Sequence, residues 1–221
     1  MSELDVRGLT VGPVQENTFI VRAGQDATRA ILVDPGDEPE RIEAALAELG
    51  VTDVEAILLT HCHFDHIGAV AAMARKTGAP VYCPAGEVQL LTETARFTPP
   101  GFGPFESYEP EHTLAGGEHL TLAGIELDVL FTPGHSPGHL TYATDGALFS
   151  GDVLFQGSVG RVDLPGGNWA TLRDSIATLV DRYPADTAVF PGHMGATTLG
   201  RELAANPFLE EIRERRLPAE P

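Results

Sequence analysis

Residues 60–66 read Thr-His-Cys-His-Phe-Asp-His, so three of the chain's eight histidines stand within six positions. Imidazoles crowded at a strand end need partners for their ring nitrogens, and a metal ion can serve several at once. On an extended segment His61 and His63 project to the same side and can grip one ion. Asp65 and His66 follow once the chain begins to turn, and are free to aim at a second position nearby. Two more histidines occupy Gly-containing turns after apolar strands: His135 in Phe-Thr-Pro-Gly-His-Ser and His193 in Val-Phe-Pro-Gly-His-Met. Asp152 closes the stretch Ala-Leu-Phe-Ser-Gly-Asp. All seven fall just past strand ends, where an α/β-type sheet presents its ligand site. Imidazole and carboxylate suit zinc, manganese and iron. Two ions about 3.5–4 Å apart would share one carboxylate and one water, and that water attacks carbonyl or phosphoryl centres near neutral pH.

The other histidines and the cysteines read differently. A lone histidine on an apolar strand is ordinarily a satisfied core or surface residue, which is the expectation for His112, His119 and His139. Cys62 alternates away from its histidine neighbours and is excluded as a ligand. Tyr82 and Cys83 are expected to pack.

The elements that carry these residues can be read from periodicity and punctuation. Strands are expected at 4–11, 17–23 and 29–33. A helix opens at Asp37 and Pro39, with Ile42, Ala45, Leu46 and Leu49 on one face and Gly50 closing it. Strand 54–60 leads into the histidine cluster, helix 67–77 follows, and 80–83 is a short strand. Residues 97–110 hold four prolines and four aromatics and predict an irregular loop or lid over the cleft. Strands then follow at 119–123, 125–132, 139–144 and 146–150, the last two joined at Asp145-Gly146. A helix at 169–182, a strand at 187–190 and a helical 198–216 broken at Asn206-Pro207 complete the chain. Two successive strand-then-helix halves predict two packed sheets with helices outside.

Bulk properties bound the partners. The 221 residues suffice for one domain, 1–221, with a large core. The net charge of −18 opposes phosphodiester backbones, so nucleic acid is not an expected partner. Nor is a membrane, since no run of eighteen apolar residues occurs. The start, MSELDVRGLT, lacks the features of a signal peptide, and two cysteines make no disulfide framework; a cytoplasmic setting is expected. A monomer or homodimer is expected.

In their order and spacing, T-H-C-H-F-D-H, P-G-H-S-P-G-H, S-G-D and P-G-H resemble the metallo-β-lactamase-fold hydrolase superfamily over nearly the whole chain. The resemblance implies a four-layer αββα sandwich of the α/β (α+β) class with a dinuclear site at one edge. Carried over, His61, His63 and His135 would hold one ion, and Asp65, His66 and His193 the other, with Asp152 bridging. The ions would be zinc, with iron or manganese as alternatives.

Within the superfamily, nuclease branches place a large extra domain between the positions of Asp152 and His193. Secreted β-lactamases have an export signal, and their main branches carry Cys or Ser at the position of Asp152. Flavodiiron proteins have Glu at the position of His63. Residues 154–168, S-P-G-H at 136–139 and N-P-F-L at 206–209 resemble short glyoxalase II-like proteins. That implies hydrolysis of a small thioester such as S-lactoylglutathione, with Asp65 orienting the attacking water and accepting its proton. Asp152 would fix the metal separation.

Persulfide dioxygenases are the alternative, holding a single iron at the positions of His61, His135 and Asp152. They tend to carry Gly-Cys-Gly-Arg where this chain has Gly157-Ser158-Val159-Gly160-Arg161. Arg161 matches a basic position in both branches and is the candidate substrate anchor, its rival reading being an ion pair with Asp163. Arg201, Arg213, Arg215 and Arg216 are expected on a solvated helix face. A non-catalytic metal-binding protein is the reading of another class, although structural zinc sites are ordinarily closed by four ligands.

Overall fold

The structure is a computed structural model that describes residues 4–216. In chain order it contains β1 (Asp5–Val11), β2 (Glu16–Arg22), β3 (Arg29–Val33), α1 (Pro39–Glu48), β4 (Asp53–Leu58), α2 (Phe64–Ile67) and α3 (Val70–Thr77). Then follow β5 (Val81–Pro84), α4 (Val88–Thr92), α5 (Thr94–Phe97) and β6 (His112–Leu114). The second half comprises β7 (His119–Leu122), β8 (Ile125–Phe131), β9 (Leu140–Thr144), β10 (Ala147–Gly151), β11 (Leu154–Phe155) and β12 (Ser158–Val159). It ends with α6 (Trp169–Arg182), β13 (Ala188–Pro191), β14 (Thr197–Thr198), α7 (Leu199–Ala205) and α8 (Glu210–Arg216).

One sheet has the order β1-β2-β3-β4-β5-β6 and the other β14-β13-β10-β9-β8-β7. Neighbours β3, β4 and β5 run parallel, as do β10 and β13, and their crossovers are the helices α1, α2–α3 and α6.

Side-chain alternation explains the four layers. Along β2 and β3, Phe19, Val21, Ile31 and Val33 point into the space between the sheets, where they meet Leu127, Val129, Tyr142 and Phe149. The intervening Ile20 and Leu32 point the other way, onto Ile42 and Leu46 of α1 and Met73 of α3. On the far side, Leu148 and Val189 pack on Leu172, Ile176 and Leu179 of α6. Strands buried on both faces read as continuous apolar runs, which is the texture of 30–33 and 56–59. The architecture is the expected αββα sandwich.

One expected helix differs. The helix over 67–77 is divided into α2 and α3 because the Ala69 N–H bonds to the Pro35 carbonyl at 3.0 Å instead of continuing a helical ladder. α2 therefore forms directly after His63 and carries Asp65 and His66 on its single turn. The loop 97–110 is irregular beyond Phe97, and Phe102 rests on Phe64 with ring centroids 4.6 Å apart. No helix among the described residues is long and apolar enough to cross a membrane.

Candidate metal centre

The residues singled out in sequence meet at one edge of the sandwich, where the ends of β4, β10 and β13 and the β8–β9 loop come together. His61, His63 and His135 form one cluster with ligand atoms within 4.8 Å of one another, and Asp65, His66 and His193 form a second. Nδ1 of His63 faces Nε2 of His135 at 2.8 Å. Asp152 stands between the clusters: Oδ2 lies 3.4 Å from His135 Nε2 and 3.6 Å from His193 Nε2, while Oδ1 lies 3.4 Å from His66 Nε2. Asp65 Oδ2 is 3.3 Å from His193 Nε2.

The outward nitrogens explain which ring atoms face inward. His135 Nδ1 donates to the Arg161 carbonyl at 2.7 Å, His66 Nδ1 to Asp34 Oδ2 at 3.0 Å, and His193 Nδ1 to the Gln15 carbonyl at 3.2 Å. Each bond fixes the ring's orientation and leaves Nε2 as the atom aimed at the centre. His61 Nε2, His66 Nε2 and Asp152 Oδ1 are buried without a hydrogen-bond partner. Buried polar atoms are ordinarily paired, and converging lone pairs on imidazole and carboxylate are the donor set of a divalent cation. The residues fit two such ions.

Backbone construction brings the turns this close. A Cβ on Gly192 would lie 2.4 Å from Asp152 Oδ1 and 2.6 Å from His66 Cε1, so the position before His193 must lack one. The start of β2 holds the same turn: the Asn17 N–H donates to the Gly192 carbonyl at 2.7 Å. Its Nδ2 donates to Pro191 and Met194 carbonyls at 3.0 and 2.8 Å.

Electrostatics divides the clusters. Burial, together with the neighbouring His66, pushes His61 well below the usual imidazole range. Burial and His135 bring His63 down to about 4. Burial would also lower His66, but Asp152 and Asp65 outweigh it and hold it well above its ordinary value. His193 is raised similarly, its burial outweighed by Asp65 and Asp152. Burial opposes the charge on Asp152, yet His66 and His135 hold that carboxyl far below the carboxylate range.

Three supporting residues were not singled out as part of the site. Asp34, at the end of β3, accepts from the Thr60 N–H at 2.7 Å and the Thr60 hydroxyl at 2.6 Å as well as from His66. Its only local signal is an aspartate at a strand end before Pro-Gly. Glu16 is buried with Oε1 unpartnered, 3.7 Å from His66 Nδ1, and carries no sequence signal. His139 is a satisfied core residue, as expected, but it also props the site. Its ring stacks on His61 at 4.9 Å, and Nε2 accepts the Asp152 N–H at 3.0 Å.

Cys62 does turn away, its sulfur 3.5 Å from that of Cys83 in the core. His119 is exposed between Glu126 and Asp128, and His112 is exposed at the start of β6 against Tyr82. The Arg161 guanidinium is exposed and makes two 2.7 Å bonds to Asp163, while the Arg161 carbonyl holds His135.

An αββα sandwich with histidines and aspartates gathered at one edge defines a class of metal-dependent proteins. Residues 11–193 match the family described as the metallo-β-lactamase superfamily, and the chain belongs to it. A probable metallo-hydrolase, YqgX of Bacillus subtilis, is 39% identical over 92% of this chain and 96% of its own length. The hydroxyacylglutathione hydrolase GloC of Haemophilus influenzae is 33% identical over 93% and 98%. Among solved structures, the BLEG-1 B3 metallo-β-lactamase has a TM-score of 0.87 at 38% identity, covering 93% of this chain and all of its own. TTHA1623 in a di-iron-bound form has a TM-score of 0.75 at 40% identity, covering 92% and 100%.

Proposed function

We propose that the protein is a dinuclear metallohydrolase that cleaves a small thioester, with S-lactoylglutathione as the reference substrate. The observation that carries this reading is Asp152, whose two oxygens reach toward both histidine clusters across a centre of unpartnered lone pairs. His61, His63 and His135 would hold one ion and Asp65, His66 and His193 the other. Zinc is the proposed metal, and the similar di-iron structure keeps iron as its rival. When bound, divalent cations polarise a carbonyl and bring the acidity of a water close to neutrality.

The chain's own residues do the rest. Asp152 sets the distance between the clusters. Asp65 is half-buried, and although burial works against its charge, His66 and His193 hold it ionised, so it can orient a water and take up its proton in passing. A thiol leaving group, with a pKa of about 8.5, departs as thiolate with little acid assistance. The likeness to the Haemophilus hydroxyacylglutathione hydrolase supports the substrate class.

The test is a comparison of chemistries on one preparation with its metals counted. S-lactoylglutathione should be hydrolysed without oxygen uptake by protein carrying two ions per chain. Oxygen consumption with glutathione persulfide by protein carrying one iron, or turnover of a chromogenic β-lactam in place of the thioester, would sink the proposal.

A further inference from the structure

Glu87 belongs to neither cluster, yet donors from two ligand-bearing segments converge on its carboxylate. Oε2 accepts the Cys62 N–H at 2.7 Å. Oε1 accepts the Gly138 N–H at 3.0 Å and the Ser136 hydroxyl. Cys62 lies between His61 and His63, and Ser136 directly follows His135. All three donors are neutral, and Glu87 is 1% exposed, so water cannot replace them. A carboxylate buried this way is tolerated only while its acceptors stay filled. Its preference for three donors is therefore transmitted to the two backbone segments that supply them.

Packing makes the junction tight. A Cβ on Gly138 would lie 2.5 Å from Glu87 Cγ, and one on Gly86 would lie 3.2 Å from Gly138 Cα. Ser136 and Gly138 thus have chemical tasks of their own in the Gly-His-Ser-Pro-Gly-His stretch: one gives a hydroxyl, the other an N–H and room. The second cluster is braced by other groups: Asp34 on His66, and Gln15 with Asn17 on the His193 turn.

We infer that Glu87 is a positioning residue for the first cluster. It clasps the His61–His63 segment to the His135 loop and so sets the affinity of the ion those three histidines would hold. The inference rests on the two-ion reading above and extends it to a residue that contacts neither ion.

The test uses full-length protein stripped with chelator and titrated with Co²⁺ and Zn²⁺ against a competing chromogenic chelator. Glu87→Gln turns one acceptor into an amide donor and must mismatch Cys62 or Gly138. It should weaken one ion by roughly 10–100-fold, as loss of a supporting contact around metal ligands does, and leave the other within about threefold. The Co²⁺ absorption band of only the weakened ion should change. Ser136→Ala, which removes one donor and leaves the carboxylate, should shift the same ion in the same direction by less.

If Glu87→Gln fails to fold, Ser136→Ala decides alone. Equal weakening of both ions, or no change in either, overturns the inference, whatever happens to the melting temperature of the stripped protein. A wild-type stoichiometry of one would instead defeat the two-ion reading. The role of Glu87 would then be judged by whether that single ion weakens in Ser136→Ala.

Discussion

At the scale of single side chains, protons distinguish the two clusters. His61 and His63 are driven down by burial, so at neutral pH their nitrogens are free to bind a cation. Burial also opposes protonation of His66 and His193, but Asp152 and Asp65 outweigh it, so an ion arriving there must first displace protons. A raised pKa means that affinity falls with every pH unit below it, whereas a depressed one leaves affinity intact until much more acid conditions. On the two-ion reading, acidifying the loaded protein from about pH 8 should therefore release the ion at Asp65, His66 and His193 before the ion at His61, His63 and His135. Metal counted after dialysis at each pH checks this, and simultaneous release or the reverse order would contradict it. The seven inward residues were legible in the sequence because each sits beside the Pro, Gly or short His-Asp spacing that ends a strand. Glu16, Asp34 and Glu87 were not, since a buried carboxylate is meaningful only through donors supplied from distant segments.

At the scale of elements, the long strands and α6 were readable because burial on both faces, or a helical stripe, leaves a period in the sequence. The short pieces β6, β11, β12 and β14 are two or three residues each and leave none. The break between α2 and α3 depends on the Pro35 carbonyl, which no local pattern reveals. Loops are held by the same device as the clusters: Glu202, buried on α7, accepts the Gly157 N–H at 2.7 Å and the Asn206 amide at 2.9 Å. The loop that follows Gly157 ties His135 through the Arg161 carbonyl, a contact that survives any side-chain change at 161. The Arg161 guanidinium is engaged by Asp163, and an exposed pair of this kind is readily exchanged for another carboxylate. Under the thioesterase reading, Asp163→Ala should raise kcat/KM for a carboxylate-bearing thioester several-fold, and Arg161→Ala should lower it by roughly tenfold. A neutral thioester should respond little to either. Equal effects on both substrates would make the Arg161–Asp163 fork a structural feature of the loop.

At the scale of the whole molecule, the formal charge of −18 opposes the approach of any anionic substrate. Surface cations do little to relieve it, because many are already matched: Lys76 with Glu43 at 3.0 Å, Arg96 with Glu93 at 3.0 Å, Arg182 with Asp128 at 3.0 Å. Two arginines of the last helix are engaged as well. Arg213 caps α7 through the Leu203 and Asn206 carbonyls, and Arg216 pairs with Asp181 of α6. Metal ions bound at the sheet edge would supply the main local positive charge, but only within a short range. Added salt shortens that range for attraction and repulsion alike, with a Debye length of about 10 Å at 0.1 M. The repulsive charges are spread over the surface and act from farther away, so screening should relieve them more than it weakens the local attraction. For an anionic thioester, kcat/KM should therefore rise several-fold between about 20 mM and about 300 mM salt, while a neutral thioester of similar size stays flat. Stopped-time assays on both substrates at constant pH and metal loading check this. A fall with salt for the anionic substrate would mean that a local cation such as Arg161, freed from Asp163 on binding, governs the encounter in place of the global field.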